Sequence, residues 1–590
     1  MLIPGFMDRR AFFRTMFTAG SVLCSLTKLH AQGMASRRVI PAPRPKFSGR
    51  PWPVNFTDVA PQSGLIAPVI YGDEYRKQYI FEANGPGIAF YDYDGDGWLD
   101  IFVPGGTMLG GLPPGGPPPT NRLYHNNRDG TFKDITERAG LSRTGWCYGV
   151  CIGDYDNDGN DDLFLTYYGT NILYHNNGDG TFTDVTAETG LGQSRPRFST
   201  GCTFLDYDRD GHLDLFLSRY IDFDFEKRPG GGTSQPCKFE GVPVACGPLG
   251  LPKATCSLYH NNGNGTFTEV TEQAGIAKGG RRYGLAAVSF DFDNDGWPDI
   301  FVACDSTPNL LFRNNHNGTF TEVGMETGCA VNADGQVQSG MGVAVGDYDA
   351  DGYMDLFLPH FSGDTPILFH NLGGKFFEDA TFAAGLAVNT QYVSWGTGFA
   401  DLDNDGWSDI FHVTGSVYPE VERVHPDYKF RTQRVIYRNL GNGNFEEVSQ
   451  LSGPAILQPH SSRGCAFGDY NNDGSLDVLI LNLSERPSLL KNRNTSSNHW
   501  LGIKAVGTRS NRSAIGARVI VTTKAHRQIR DVMSGSSYLS QSDLRQHFGL
   551  GNATKADSIE VHWPSGQVDR RLNVPADQFH VIREGESDLS

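Results

Sequence analysis

The sequence predicts an all-β protein, a seven-bladed β-propeller followed by a small C-terminal β domain. Three observations predict it. An acidic motif, Asp-x-Asp-x-Asp-Gly-x-x-Asp, recurs seven times, beginning at Asp92, Asp154, Asp206, Asp291, Asp347, Asp401 and Asp469, the last copy with Asn471 at its third position. Each copy is followed by a short apolar run and then by a hairpin signal such as Asn177-Gly178-Asp179-Gly180. The composition, with 72 Gly and 12% aromatic residues in 590, favours many short strands joined by tight turns.

The N-terminus comes first in the chain. Arg9-Arg10 with Phe12, an apolar run from Met16 to Leu26 and Ala31 resemble a twin-arginine export signal over residues 1–33. Residues 34–50 read as a linker, and 51–495 as the propeller. No segment reaches 18 apolar residues, so an integral membrane protein is not expected.

The motifs are spaced 62, 52, 85, 56, 54 and 68 residues apart. A basic period near 54 is thus lengthened by insertions at Gly111–Pro119, Asp222–Cys256 and Val417–Arg434. Each period reads as four strands: a small-residue strand into the acidic loop, an apolar strand out of it, and two flanking the hairpin turn. Repetition of four short strands favours a propeller over a solenoid, which needs capping repeats. The seventh period lacks its last strand. The matching text, Asn55-Phe56-Thr57-Asp58-Val59, stands at the other end of the chain, so the N-terminal strand is expected to complete the last blade and remove exposed sheet edges.

The acidic loops carry the chemistry. Carboxylates at positions 1, 3, 5 and 9 of a tight loop converge on one point, with Gly at 6 permitting the bend. The expected ligands are Asp92, Asp94, Asp96 and Asp100; Asp154, Asp156, Asp158 and Asp162; Asp206, Asp208, Asp210 and Asp214; Asp291, Asp293, Asp295 and Asp299; Asp347, Asp349, Asp351 and Asp355; Asp401, Asp403, Asp405 and Asp409; and Asp469, Asn471, Asp473 and Asp477. The backbone carbonyls of position 7 (Trp98, Asn160, His212, Trp297, Tyr353, Trp407 and Ser475) are expected to add an oxygen each. Such hard-oxygen sets suit Ca²⁺ better than Mg²⁺. Up to seven ions are expected, and seven would bring a net charge of −17 to −3. The first loop has Val103 where an EF-hand places its bidentate Glu, so the loops are not EF-hands.

These loops, with their Phe-x-Asp-Val-Thr partner strands, resemble the FG-GAP/VCBS repeats of integrin-α-type propellers. Further on come Ala514-Ile515-Gly516-Ala517, Ser534-Gly535-Ser536-Ser537-Tyr538-Leu539-Ser540-Gln541-Ser542, His547-Phe548-Gly549-Leu550-Gly551 and His562-Trp563-Pro564-Ser565-Gly566. This text is similar to the ASPIC/UnbV domain of the cartilage-acidic-protein family, and the insertion Cys237–Pro248 also looks like that family. The resemblance spans residues 51 to 585 and implies a secreted calcium-binding propeller with a β domain at 498–585, without implying a settled chemistry. Ser534–Ser542 is expected to be a turn packed on the propeller, with a ligand loop as the alternative.

Cys237 and Cys246, in a Gly/Pro-rich insertion of an exported chain, are the candidate disulfide, with Cys256 as a competitor. Cys147, Cys151, Cys202 and Cys465 precede acidic loops as small apolar fillers, and Cys304 or Cys329 is a candidate free thiol. An acidic chain without a basic stripe excludes nucleic-acid binding. No G-x-S-x-G, H-E-x-x-H or P-loop is present. Two functions are therefore set out. The first is an exported calcium-binding module engaging a protein or glycan. The alternative is an enzyme of secondary or export-linked metabolism with a site in a central funnel lined by Glu82, Arg197, Arg282, His360 and His412.

Overall fold

The computed structural model describes residues 38–110, 119–193, 195–222 and 237–586. The expected signal (1–33) and most of the Gly111–Pro119 insertion lie outside the described residues.

Almost all regular structure is antiparallel sheet, as the alternation of short apolar runs and glycine turns dictates. Among the described residues, five of the seven periods each form a four-stranded sheet, and the second and third periods form two four-stranded sheets joined edge to edge into one of eight strands. The second is typical: Cys147–Gly153 pairs with Asp162–Gly169, which pairs with Ile172–Asn176, which pairs with Phe182–Asp184. The second and third sheets also touch through Arg197↔Gly169 and Phe198↔Tyr168. In the seventh sheet the fourth strand is Phe56–Asp58, paired Phe56↔Asn492 and Asp58↔Leu490, so the two ends of the repeat region meet in one sheet.

Neighbouring sheets are tied by one recurring residue. The asparagine at or one short of the end of each third strand (Asn126, Asn176, Asn261, Asn314, Asn371, Asn439 and Asn492) donates its side-chain amide to the position-2 carbonyl of the preceding acidic loop, at 2.8–2.9 Å in every case. Asn126 reaches back to Tyr470 of the last loop, so the succession of sheets returns to its start.

The described part of the expected linker is docked. Val39 and Ala42 donate backbone hydrogen bonds to Gly363 and Ala387, and Ser48 Oγ donates to Glu446 at 2.6 Å.

The C-terminal region forms two further sheets. One contains His499–Val506 between Gln546–Gly551 and, in parallel, Gln578–Arg583. The other runs Arg527–Asp531, Arg518–Thr522, Lys555–His562, Val568–Pro575. The region does not hold a separate core. Leu501, Val519 and Phe548 pack in one cluster with Phe164, Phe204 and Leu215 of the second and third sheets. Ile520 and Ile529 join Val288, Phe290 and Met354 of the fourth and fifth. Its buried residues thus form cores shared with the repeats.

Candidate metal loops and the cap that covers them

Each acidic loop is built the same way, and its carboxylates hydrogen-bond the loop's own backbone. The position-1 carboxylate accepts the position-6 glycine amide at 2.7–3.2 Å in all seven loops. The position-5 carboxylate accepts the position-7 amide at 2.8–3.1 Å. Position 9 accepts the backbone amide of the third-strand asparagine at 2.7–2.9 Å. Position 6 has a φ of 85–101°, the left-handed region that glycine enters without a Cβ clash.

With these bonds made, the oxygens left over face one another. Ligand atoms of Asp92, Asp94 and Asp96, and of Asp154, Asp156 and Asp158, lie within 4.8 Å of each other. Oxygens no farther apart than this can share one ion held at 2.3–2.6 Å. Asp100 Oδ2, Asp208 Oδ1, Asp293 Oδ1, Asn471 Oδ1 and Asp477 Oδ2 are buried and have no hydrogen-bond partner. Burial pushes Asp100 up to about 9, Asp154 and Asp206 to about 8, and Asp162 and Asp214 to about 7, the other carboxylates of each loop adding to the rise. Orphaned hard oxygens crowded in a low-dielectric loop are a donor set that fits a divalent cation.

Two further positions belong to the site. The residue before each third-strand asparagine is basic in every sheet: His125, His175, His260, Arg313, His370, Arg438 and Lys491. His175 Nδ1 lies 3.4 Å from Asp156 and 3.3 Å from Asp162, His260 Nδ1 3.1 Å from Asp214, and Lys491 Nζ 3.2 Å from Asp473. The histidines are thus not merely hydrogen-bonding within their sheets; they stand over the carboxylates, and Asp162 and Asp214 raise His175 and His260 to about 9. Position 4 of the loop is the other. Asn157, Asn294, Asn404 and Asn472 each donate to the position-6 carbonyl of the next loop at 2.9–3.0 Å. Both columns are visible once the repeats are aligned, but the first is basic and the second spends its amides on the neighbouring loop's backbone.

The C-terminal region lies on this acidic face and is basic, with twelve Lys and Arg against seven Asp and Glu over 498–585. Arg518 Nη2 donates to Asp291 O at 3.0 Å, and Arg545 Nη2 to Asp469 O at 3.1 Å. Ser513 Oγ accepts from Asp154 N at 2.9 Å, Arg209 Nε donates to Pro564 O at 2.5 Å, and His547 Nε2 meets Asn404 Oδ1 at 2.8 Å.

Between its two sheets the cap sends Ser534–Ser542 into the axis of the repeats. This segment bridges to Ala89 of the first sheet through Gln541 and to Val343 of the fifth through Ser537. Ser534 Oγ donates to Ile152 O at 2.7 Å, and Thr397 N and Phe467 N donate to Ser537 and Ser542. Tyr538 is wholly buried, its ring 5.0 Å from Trp395 and its hydroxyl donating to Asn84 O at 3.2 Å. The packed-turn expectation describes the segment, and its place is central. The axis is further filled by Phe81, Tyr148, Phe198, Tyr220 and Tyr418, and Cys237 and Cys246, joined in a disulfide, carry Phe239 onto Phe361 and Tyr418. The other seven described cysteines are free and buried.

The five funnel candidates therefore do not share an open funnel. Glu82 is buried and accepts the Gln78 and Tyr79 amides. His360 Nδ1 lies 2.9 Å from Thr365 O. His412 is buried between Phe357 and Tyr437, both ring nitrogens without partners, and burial pushes it down to about 3. Arg282 lies on the strand bridge to Ala254, and Arg197 lines a side cavity of the third sheet. Aromatic residues of the first strands fill the space that a sequence reading leaves open.

Fold and site define a β-repeat protein whose acidic loops lie under a basic C-terminal cap. Residues 92–165, 154–217, 291–358 and 431–480 match the family described as FG-GAP-like repeat, and 507–589 that described as ASPIC and UnbV. The chain is an FG-GAP-like repeat protein with a C-terminal ASPIC and UnbV domain, homologous to cartilage acidic protein 1. It is 30% identical to the Homo sapiens protein of that name over 329 residues, 54% of this chain and 46% of that one, and 29% identical to the Mus musculus protein over 54% and 47%. The matches span about half the length of these relatives. Among solved structures it is similar to an Agrocybe aegerita lectin recognising non-reducing terminal N-acetylglucosamine (17% identity, TM-score 0.36, 68% of this chain and 85% of that one). It is also similar to the exotype rhamnogalacturonan lyase YesX (12%, TM-score 0.30, 87% and 92%).

Proposed function

We propose that the protein is an exported, calcium-binding, seven-bladed β-propeller that acts as an interaction module for a protein or glycan. The observation that carries the calcium reading is the repeated set of converging carboxylates with buried, unpartnered oxygens. Ca²⁺, when bound, supplies the positive charge these loops lack. The protein's own residues do the rest: position 1 closes the loop on glycine, position 9 anchors it to the next strand, and positions 3 and 5 offer the freest oxygens. Up to seven ions are held, and because the cap rests on these loops, their occupancy stabilises the cap and its central plug as well.

Export is supported by the Arg9-Arg10 text, and by relatives whose name places them in cartilage. No helix among the described residues is long and apolar enough to cross a membrane. The test is metal analysis of natively purified protein with a visible-light spectrum: calcium near seven per chain and no chromophore supports the reading. A stoichiometric transition metal without calcium overturns it in favour of an enzyme.

A further inference from the structure

A second site lies at the end of the third sheet remote from its acidic loop. Arg219 closes the outgoing strand Asp214–Arg219, five residues from the loop. That is about 17 Å of extended chain. Around it opens a cavity of about 500 Å³, bounded by the start of Arg197–Leu205, the residues before Ser257 and those after Glu269.

The cavity is cationic in an acidic protein. Arg219 forms its floor and is only 6% exposed. Its Nε is buried without a partner, and its Nη2 has only a 3.5 Å contact with the Tyr259 hydroxyl. Arg197, half-buried in the wall, likewise has a buried Nε without a partner. Arg281 and Lys253 stand at the rim, and Lys253 Nζ lies 5.7 Å over the Tyr283 ring. Three acids also line it: Asp222 takes both oxygens to Arg195, at 2.6 and 3.2 Å, Glu269 accepts the Ser257 and Thr271 hydroxyls, and Glu272 stands against five Arg and Lys of the lining. Among the described residues, no ion pair joins Arg197, Arg219, Arg281 or Lys253 to a carboxylate.

A buried guanidinium that no carboxylate pairs directly is costly to desolvate. Guanidinium forks match the paired oxygens of carboxylate, sulfate or phosphate. The cavity is larger than one such group and falls in the size range of small-molecule sites. Thr255 and Gln273 offer hydrogen bonds, and Phe198 and Ile221 offer apolar faces. The geometry points to a binding site for an acidic sugar, a hydroxylated ring of monosaccharide size carrying one carboxylate or sulfate, with the oxyanion on Arg219 and Arg197. The site is separate from the metal loops and stands whether or not these hold calcium.

The experiment is titration calorimetry on the full chain as purified, with glucuronate, glucose 6-sulfate, glucose and inorganic sulfate as probes. The two acidic sugars bind, more weakly as salt is raised, and glucose does not. Arg219→Met weakens them about tenfold or more, the loss of one charge-assisted hydrogen-bond set. Arg197→Gln, in the half-buried wall, gives a similar loss in a variant whose melt is unchanged, so the test survives if Arg219→Met fails to fold. Absence of binding by both acidic sugars up to about 10 mM, or undiminished binding in a folded Arg197→Gln protein, overturns the proposal. Inorganic sulfate binding as tightly as the sugars overturns the sugar assignment.

Discussion

Asn126 of the first sheet donates its side-chain amide to the backbone carbonyl of Tyr470 in the seventh acidic loop, 2.9 Å away and 344 residues on. The same bond recurs between every other pair of successive sheets, so one residue type both anchors its own loop through its backbone and holds the loop before it through its side chain. Asn314→Ala leaves the Tyr207 carbonyl buried and unpaired, and should cost about 2 kcal/mol in urea unfolding. Asn317→Ala, at an exposed hairpin turn, should cost well under that; equal effects would remove the special role of the asparagine column.

The join between the chain's ends gives a second prediction. Phe56–Asp58 is the fourth strand of the seventh sheet, and Arg486 Nη1 reaches Asp58 Oδ2 at 3.0 Å. A chain starting at residue 66 should lose amide protection from Phe467 to Leu490 more than around Asp291, because the seventh sheet keeps only three strands and an open edge. Loss confined to the first sheet near Asp92 would mean the strand serves that sheet instead.

The plug should be energetically central. Tyr538→Ala removes a wholly buried ring from between Trp395 and the backbone of the short helix Phe81–Asn84, and should destabilise the chain by about 3–5 kcal/mol. Tyr538→Phe loses only the bond to Asn84 O and should cost about 1 kcal/mol. Differential scanning calorimetry should show one transition for repeats and cap together, since they share cores. Two separated transitions in the parent protein would contradict the shared core.

His412 sets an acid dependence. Its folded value, near 3, lies below the ordinary value near 6.5, so the unfolded chain takes up the proton first. Stability from this residue is full above about 6.5 and is lost as pH falls toward 3, by up to about 1.4 kcal/mol per unit. His412→Phe, which removes two unpartnered buried nitrogens, should match or exceed the parent at pH 7 and gain on it steadily below pH 6. A stability difference that stays flat from pH 7 to 4 would show that His412 is not held neutral.

What the sequence revealed follows from what is local. The acidic loop at Asp154–Asp162 and the hairpin at Asn177–Gly180 are written in contiguous residues, so the sheets and their loops were legible, and the text at Asn55–Val59 was legible by its likeness to Phe182–Val185. The axis was not. Glu82, His360 and His412 look alike as polar residues beside loops, yet the short helix Phe81–Asn84, the turn after Asp355–Leu358 and the strand Asp409–Thr414 carry them into three different packed environments. Nothing near Ser534–Ser542 signals that Ile152, Val343 and Thr397, from three different periods, will surround it. Arg219 was missed because an arginine ending a strand reads as a solvated end until the neighbouring strands bury it.

The most direct test of the account is calorimetric unfolding of the full chain after metal removal has been verified by elemental analysis. The carboxylates of Asp154, Asp206 and their equivalents are buried together, so their charge must be met for the loops and the cap above them to hold. The account predicts a single transition that drops by about 10 °C or more on chelation, returns with Ca²⁺ and returns poorly with Mg²⁺, and that Asp295→Ala lowers even in excess calcium. An unchanged transition in verified metal-free protein would contradict the claim that these loops are calcium sites on which the fold depends.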